Sequence, residues 1–308
     1  MRLQDWKKKD GGLGEFFPRP SSRPAPALAE CRPMPLPLPR HQRAHGRAEL
    51  GFARTERGTV LRHLFHAAPL RVLFPTPEPD DLPLAALVNV GGGLAGGDSL
   101  EIEVSLAAGG GASLTTPAAE KVYRSLAEPT RLSTRLEVAE GATLEWLPQE
   151  TILFDGARLE RRMQARLAPG ARLLAAEMLV FGRVARGERL GHGALFDSWR
   201  LWRGGRLHWA DATDLSGDIA ARLSAPFGFA GAEASALLLL AASVEEASAG
   251  RDLLRAAGHE ATLARPGLLL ARFLGPAGAV REALAGAIPV LRAGVLGLPA
   301  RLPRLWTS

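Results

Sequence analysis

From about residue 48 onward, apolar and polar residues alternate in short runs broken by glycine and proline, the pattern of half-buried strands rather than helices. Runs at 48–54 and 59–67, separated by the turn-like Glu56-Arg57-Gly58, and a third at 70–74 predict a sheet built from hairpins, followed by a proline-rich loop at 75–83. Leu100, Ile102, Val104 and Leu106 alternate with polar residues in the next strand, 98–106. Further strands are expected at 130–138, 142–147, 158–167 and 172–181, then a hairpin of 198–203 and 206–211 closed by Gly204 and Gly205. The character changes after residue 234. A strand at 235–242, a helix at 244–257 ended by Gly258, two strands at 260–264 and 268–274, and a second helix at 277–291 follow. Ser243 suits the N-cap of the first helix, with Glu245 and Glu246 in its opening turn, where acidic groups favour the dipole.

An internal repeat organises the strands. VAEGATL at 138–144 and LAPGARL at 167–173 share one form 29 residues apart, and 106–114 is a looser third copy with two extra glycines. Each copy is a turn between two alternating strands, so the expected fold is mainly β: stacked strand-turn-strand layers, β-helix-like, with a small helical layer near the C-terminus. Residues 46–308 form one expected domain, β-rich over 46–233 and carrying two helices over 234–308.

Composition sharpens the picture at the N-terminus. Residues 1–45 hold nine Lys/Arg against four Asp/Glu, a balance of +5 within a total of +6, so the rest of the chain is nearly neutral. Pro33, Pro35, Pro37 and Pro39 recur at every second position there, and a disordered or extended basic tail is expected over 1–45. Lys7 to Lys9 are followed by no apolar run of signal-peptide length, and Met34 offers an alternative start. No apolar stretch of membrane-spanning length occurs, so no membrane association is expected. The single cysteine, Cys31, excludes an intramolecular disulfide and argues against a thiolate metal site, consistent with a reducing cytoplasm. No aromatic-interleaved basic stripe accompanies the nearly neutral domain, so nucleic acid is not the expected partner; a binder acting through the basic tail is one alternative class.

Gly91, Gly93 and Gly96 satisfy G-x-G-x-x-G, yet a strand follows where a pyrophosphate site needs a helix N-terminus, and Asp98 would repel phosphate. Glycine here serves a tight turn between strands. Of the seven histidines, no pair has zincin spacing; His63 and His66, three apart, should point to opposite faces. G-x-S-x-G is absent. An enzyme is therefore not expected; the alternative is a β-rich hydrolase or isomerase built from Asp155, Glu177 and His192. The remaining polar candidates are Asp98, Thr115, Thr116, Glu120, Glu150, Asp155 and Glu177. Glu177 sits within an apolar run, so its carboxylate must be paired, hydrogen-bonded or beside water. Two readings stand: an ion pair with an arginine such as Arg124 or Arg183, or the lining of an internal passage with Asp155 and Glu150. Lys121 and Tyr123 share one face if they lie on a strand; with Arg124 they suit an interface, and an amphipathic strand with an internally bonded tyrosine is the other reading.

Five ordered words carry a resemblance: GGGLAGGD at 91–98, SLTTPAAEKVYRS at 113–125, LPQETILFDG at 147–156, AEMLVFGR at 176–183 and PRLW at 303–306. At this spacing the chain resembles the urease accessory protein UreD (UreH) family from about residue 46 to its end. The tail has no evident counterpart in that family, and Ala95 stands where a larger residue is common. The resemblance implies a mainly β protein with a late helical layer and a cytoplasmic, non-enzymatic chaperone of urease maturation. Its implied partners are the urease apoprotein, UreF and, through UreF, the GTPase UreG. It implies nickel in transit and no tightly bound cofactor. On that basis Glu150, Asp155, Glu177, Asp98, Thr115 and Thr116 are the candidates for a nickel passage, since weakly binding oxygens release an ion that thiolates would hold. Lys121, Tyr123 and Arg124 are the candidates for partner contact.

Overall fold

The structure, a computed structural model, describes residues 43–76 and 78–306. The tail expected over 1–45 lies outside the described residues except for its last three, and so do Cys31 and Met34.

The first strands are β1 (His45–Thr55), β2 (Gly58–Ala67), β3 (Leu70–Leu73), β4 (Leu84–Asn89), β5 (Ser99–Leu106) and β6 (Gly111–Thr115). The chain continues through β7 (Glu120–Val122), β8 (Thr130–Val138), β9 (Thr143–Leu147), β10 (Thr151–Leu153), β11 (Arg158–Leu167) and β12 (Arg172–Phe181). After β13 (Ala194–Arg203), β14 (Arg206–Ser216) and helix α1 (Ile219–Ser224) come β15 (Ala234–Ala241), α2 (Val244–Ala256), β16 (Thr262–Arg265), β17 (Leu268–Gly275) and α3 (Ala277–Leu291).

Two sheets face each other. The first has the order β14-β13-β11-β8-β5-β1-β2; the second runs β16-β17-β15-β12-β9-β6-β4-β3, with β7 and β10 joined at its side. The chain winds between them as a solenoid. Strands β5, β8 and β11 run parallel in the first sheet, and each passes through a short turn into β6, β9 or β12, parallel in the second. The sequence repeat is this turn. Leu106, Val138 and Leu167 stand side by side at its start, and Ala112, Leu144 and Leu173 at its end. Gly109, Gly141 and Gly170 occupy the same left-handed position, at φ of 64°, 63° and 68°. The first copy therefore contains no insertion, contrary to the two extra glycines expected. Gly110 and Gly111 simply replace Ala142 and Thr143, a substitution that looks like an insertion when only the apolar letters are matched.

The stack ends in antiparallel pairs. At one end β1 accepts β5 in parallel and β2 in antiparallel fashion. The expected hairpin sheet over 48–74 stops there, because β3 crosses to the second sheet and pairs with β4. At the other end the β13–β14 hairpin turns at Gly204 and Gly205, as expected, but its strands are longer than the alternation suggested. Asp197 is the reason. It occupies an inward position between Leu195 and Trp199, and a polar residue there breaks the apolar period. Strands β7 and β10, three residues each, are too short for any period to reveal, and α1 is one further element the pattern did not announce.

Between the sheets lies the main core, with Leu50, Val104, Leu136, Leu144, Met163, Leu173 and Trp199 among its residues. A second core forms where α2 and α3 cover the outer face of the second sheet through Leu254, Leu284 and Ile288 against Leu174, Met178, Leu238 and Leu240. Strand β12 is thus buried on both faces, which is why its sequence is an almost unbroken apolar run. Ser243 caps α2 as expected: its hydroxyl accepts from Glu246 N at 3.1 Å, and its own N–H donates to the Glu246 carboxylate at 2.9 Å.

Candidate functional site

Four of the five sequence words meet on the narrow third side of the solenoid, where the chain returns from the second sheet to the first. Leu94, Val122, Leu153 and Phe181 are all buried and joined edge to edge. Leu94 N donates to Lys121 O at 2.7 Å and Tyr123 N to Leu94 O at 2.8 Å; Phe154 N donates to Val122 O at 3.0 Å and Gly182 N to Leu153 O at 2.8 Å. Each word supplies one buried apolar residue to this row. Gly93 admits this closeness: at φ 149° it lies under the Tyr123 ring, which a Cβ would meet at 2.6 Å.

Behind that side, between the sheets, is a cavity of about 180 Å³. Its outer wall holds Asn89, Gly92, Gly93, Thr116 and Glu120, and its inner end holds Thr134, Trp146, Thr151, Arg161 and Glu177. The Glu177 side chain points inward because β12 places it on the same face as Leu173 and Ala175, and it is only 5% exposed. Its Oε2 accepts from Trp199 Nε1 at 2.6 Å and lies 3.3 Å from Arg161 Nη2. Burial pushes its pKa up to about 7; Arg161 opposes that rise, and the two indoles of Trp199 and Trp146 oppose it less. Trp146 Nε1 is buried near this carboxylate without completing a hydrogen bond. Arg161 is gripped from its other side by Asp197, Nε to Oδ1 at 2.9 Å and Nη2 to Oδ2 at 2.7 Å. The expectation of an arginine partner for Glu177 holds, but the partner is Arg161, and neither Arg124 nor Arg183. Glu120 guards the mouth, held by Asn89 Nδ2 at 3.0 and 3.1 Å, with its pKa raised by burial.

The six passage candidates do not all converge. Glu177 and Thr116 line the cavity. Glu150 lies in an adjoining groove, bound by Arg281. Asp155 is not beside Glu177: its Oδ1 accepts the N–H groups of Gly191 and His192, each at 2.9 Å. Burial works against its ionisation, but the two backbone donors together with the His192 ring outweigh it and hold the carboxyl below its ordinary value. Asp98 likewise fastens backbone, accepting from Ala44 N at 2.9 Å and Ala95 N at 2.7 Å. Thr115 donates to Leu147 O at 2.7 Å. These three sit where a strand ends and the chain turns, and a short polar side chain there satisfies backbone donors and acceptors first. The alternation alone did not single out Arg161, Asp197 and Trp199; the only signal for the first two was a charged residue at an inward position of an alternating strand.

Lys121 and Tyr123 do share a face and line an open groove floored by Ile152, Phe154, Met178 and Val180 and rimmed by Arg183, Arg186 and Arg281. The Tyr123 hydroxyl donates to Gly92 O at 2.8 Å while its ring meets Phe154 edge-on at 5.0 Å, so the residue is bonded within the fold and 37% exposed at once. Arg124 turns away from the groove, its stem covering Gly156. His63 faces Glu49 at 3.0 Å and His66 accepts from Val72 N at 3.2 Å; neither adjoins the cavity.

A sequence model described as UreD urease accessory protein matches residues 44–307. The chain belongs to the UreD family. Among relatives named urease accessory protein UreD, that of Granulibacter bethesdensis is 52% identical over 242 residues, covering 77% of this chain and all of the relative. That of Magnetococcus marinus is 43% identical over 276 residues, covering 86% and 94%. The solenoid of this UreD chain carries the family words on the side where its cavity opens. Asp155 and His192 are neighbours 3.6 Å apart, yet Glu177 lies in a separate cavity, so the site of the alternative hydrolase or isomerase reading does not assemble from these three. Among the described residues of this UreD chain no group of three or more His, Cys, Asp or Glu side chains is arranged to hold a metal ion, and no helix is long and apolar enough to cross a membrane.

Proposed function

We propose that this chain acts as a non-catalytic cytoplasmic scaffold of urease maturation: it binds the urease apoprotein, recruits UreF and through it the GTPase UreG, and passes nickel through its interior. The observation that carries this is the cavity leading from Asn89, Gly92 and Glu120 to the buried carboxylate of Glu177. Its lining offers single oxygens of threonine, glutamine and glutamate, a donor set that binds nickel weakly and releases it. GTP hydrolysis belongs to the partner on this reading, and Gly91 to Gly97 form a turn between β4 and β5 rather than a phosphate cradle.

The test is restoration. In a host whose urease operon lacks its UreD gene, supplying this chain with its cognate urease and accessory partners should restore urease activity and urease-bound nickel together. Soluble chain that restores neither refutes the proposal. The groove beside the cavity supports a partner surface, since an apolar floor with basic and aromatic rims is the composition of interface anchors. Tyr123→Ala removes the ring from that groove, and its retention of urease or UreF in a pull-down is expected to fall roughly five- to thirtyfold, the loss of one anchor of about 1–2 kcal/mol. Undiminished retention of both would take Tyr123 out of the interface.

A further inference from the structure

The cavity does not end at Glu177. A smaller one of about 40 Å³ begins on the far side of the same residue, walled by Asp197, Trp199, Asp211, Thr213 and Arg272. Arg161 and Glu177 line both. The partition between them is therefore one ion pair. Its geometry is unusual in a specific way: a single nitrogen, Arg161 Nη2, touches Glu177 Oε2 at 3.3 Å and Asp197 Oδ2 at 2.7 Å. Two carboxylates from facing sheets thus converge on one point, and that point is filled by a guanidinium that remains charged at every physiological pH. Oxygens from two carboxylates around one centre are the arrangement in which a divalent cation is bridged. With the guanidinium in place, a second cation meets repulsion at close range in a poorly screened interior.

We propose that Arg161 is a tethered counter-cation that gates this passage: a divalent cation crosses between the two cavities by exchanging with the guanidinium on Glu177 and Asp197. The inference rests on the nickel-passage reading above. The side chain has somewhere to go. Asp211, partly exposed on the wall of the smaller cavity and paired with Arg272 at 2.5 Å, offers an alternative carboxylate on the side where Asp197 already draws Arg161. Glu177 is held in place meanwhile by Trp199, so the carboxylate stays aimed at the crossing while the arginine leaves.

The gate predicts that taking the guanidinium away converts a passage into a site. Purified wild-type chain should take up little Ni²⁺ in equilibrium dialysis at micromolar concentration. Arg161→Met should bind about one Ni²⁺ per chain at least tenfold more tightly, and Arg161→Met combined with Glu177→Gln should lose that binding. Arg161→Lys keeps a buried positive charge but not the fork that spans both carboxylates, and should fall between wild type and Arg161→Met; it carries the test if the methionine variant does not fold. Folded Arg161→Met or Arg161→Lys that binds Ni²⁺ no better than wild type, or binding that survives Glu177→Gln, overturns the gate. The two readings fail separately. If Glu177→Gln leaves urease activation unchanged, the route past Glu177 is wrong, and the gate with it; if it impairs activation while the Arg161 variants bind like wild type, only the gate is.

Discussion

Glutamine at position 177 is expected to leave the complex with urease and UreF intact and to cut nickel incorporation by one to two orders of magnitude. The substitution keeps the shape of the side chain and an oxygen for Trp199 Nε1, so the cavity persists. What it removes is the one carboxylate facing the inner end of the cavity, and a charge-assisted contact is worth roughly 1.5–3 kcal/mol, about ten- to a hundredfold in occupancy. Nickel content and urease activity of the matured enzyme are the measurements, with a pull-down as control; normal nickel content with an intact complex removes Glu177 from the passage. A pH dependence accompanies it. Because burial holds the Glu177 pKa near 7, above its ordinary 4.5, the folded chain binds this proton more tightly than the unfolded one. The sign follows: the wild type is unpenalised below about pH 4.5, loses stability as pH rises through 7, and above that carries a cost of at most about 3 kcal/mol. Glu177→Gln lacks this cost. Its stability relative to wild type in urea should therefore improve from pH 5 to pH 8, and a difference that stays flat or reverses would show that the carboxylate is fully compensated by Arg161.

Alanine at position 292 is expected to cost about 3–5 kcal/mol, the penalty for leaving a buried charge without its partner. Arg292 follows α3 and is 1% exposed. Its Nε donates to Glu145 Oε1 at 2.8 Å, and its other nitrogens reach Asp81 and the carbonyl of Arg301. Glu145, on β9, is completely buried, and burial raises its pKa even with Arg292 beside it. The pair ties the helical layer and the closing segment to the outer face of the second sheet. That segment is otherwise held by Trp306 Nε1 on Leu147 O at 2.9 Å and Gln149 Nε2 on Leu305 O at 2.8 Å. Arg292→Ala should lower the denaturant midpoint and raise hydrogen exchange over 297–306. Glu145→Leu with Arg292→Met, which removes both charges and refills the volume, should recover most of the loss. If Arg292→Ala costs less than about 1 kcal/mol, the network contributes little to stability.

Strand positions were legible because alternation is a local property, and this chain alternates over most of the solenoid. Strands β8, β11 and β12 begin and end where the pattern placed them. The repeat carried more than position. Its 29-residue spacing is the parallel register itself, since Val138 pairs with Leu167 and Leu144 with Leu173. The family was legible too, through five words of which four are stacked rungs of one side. Less of the site was. Glu177 stood out as a carboxylate in an apolar run, but Asp155, Asp98 and Thr115, drawn from the same words, turned out to fasten backbone.

What the chain determined by itself is therefore the element types, their winding and the family, each of which depends on residues near one another in sequence or on an exact repeat. Only the tertiary structure decided that Arg161, Asp197 and Glu177 meet at one nitrogen, and that Glu145 meets Arg292. Period-two alternation says that a residue faces in or out, but not what faces it. The facing residue belongs to another sheet or a covering helix, and its identity follows from how the layers are set against each other across the core.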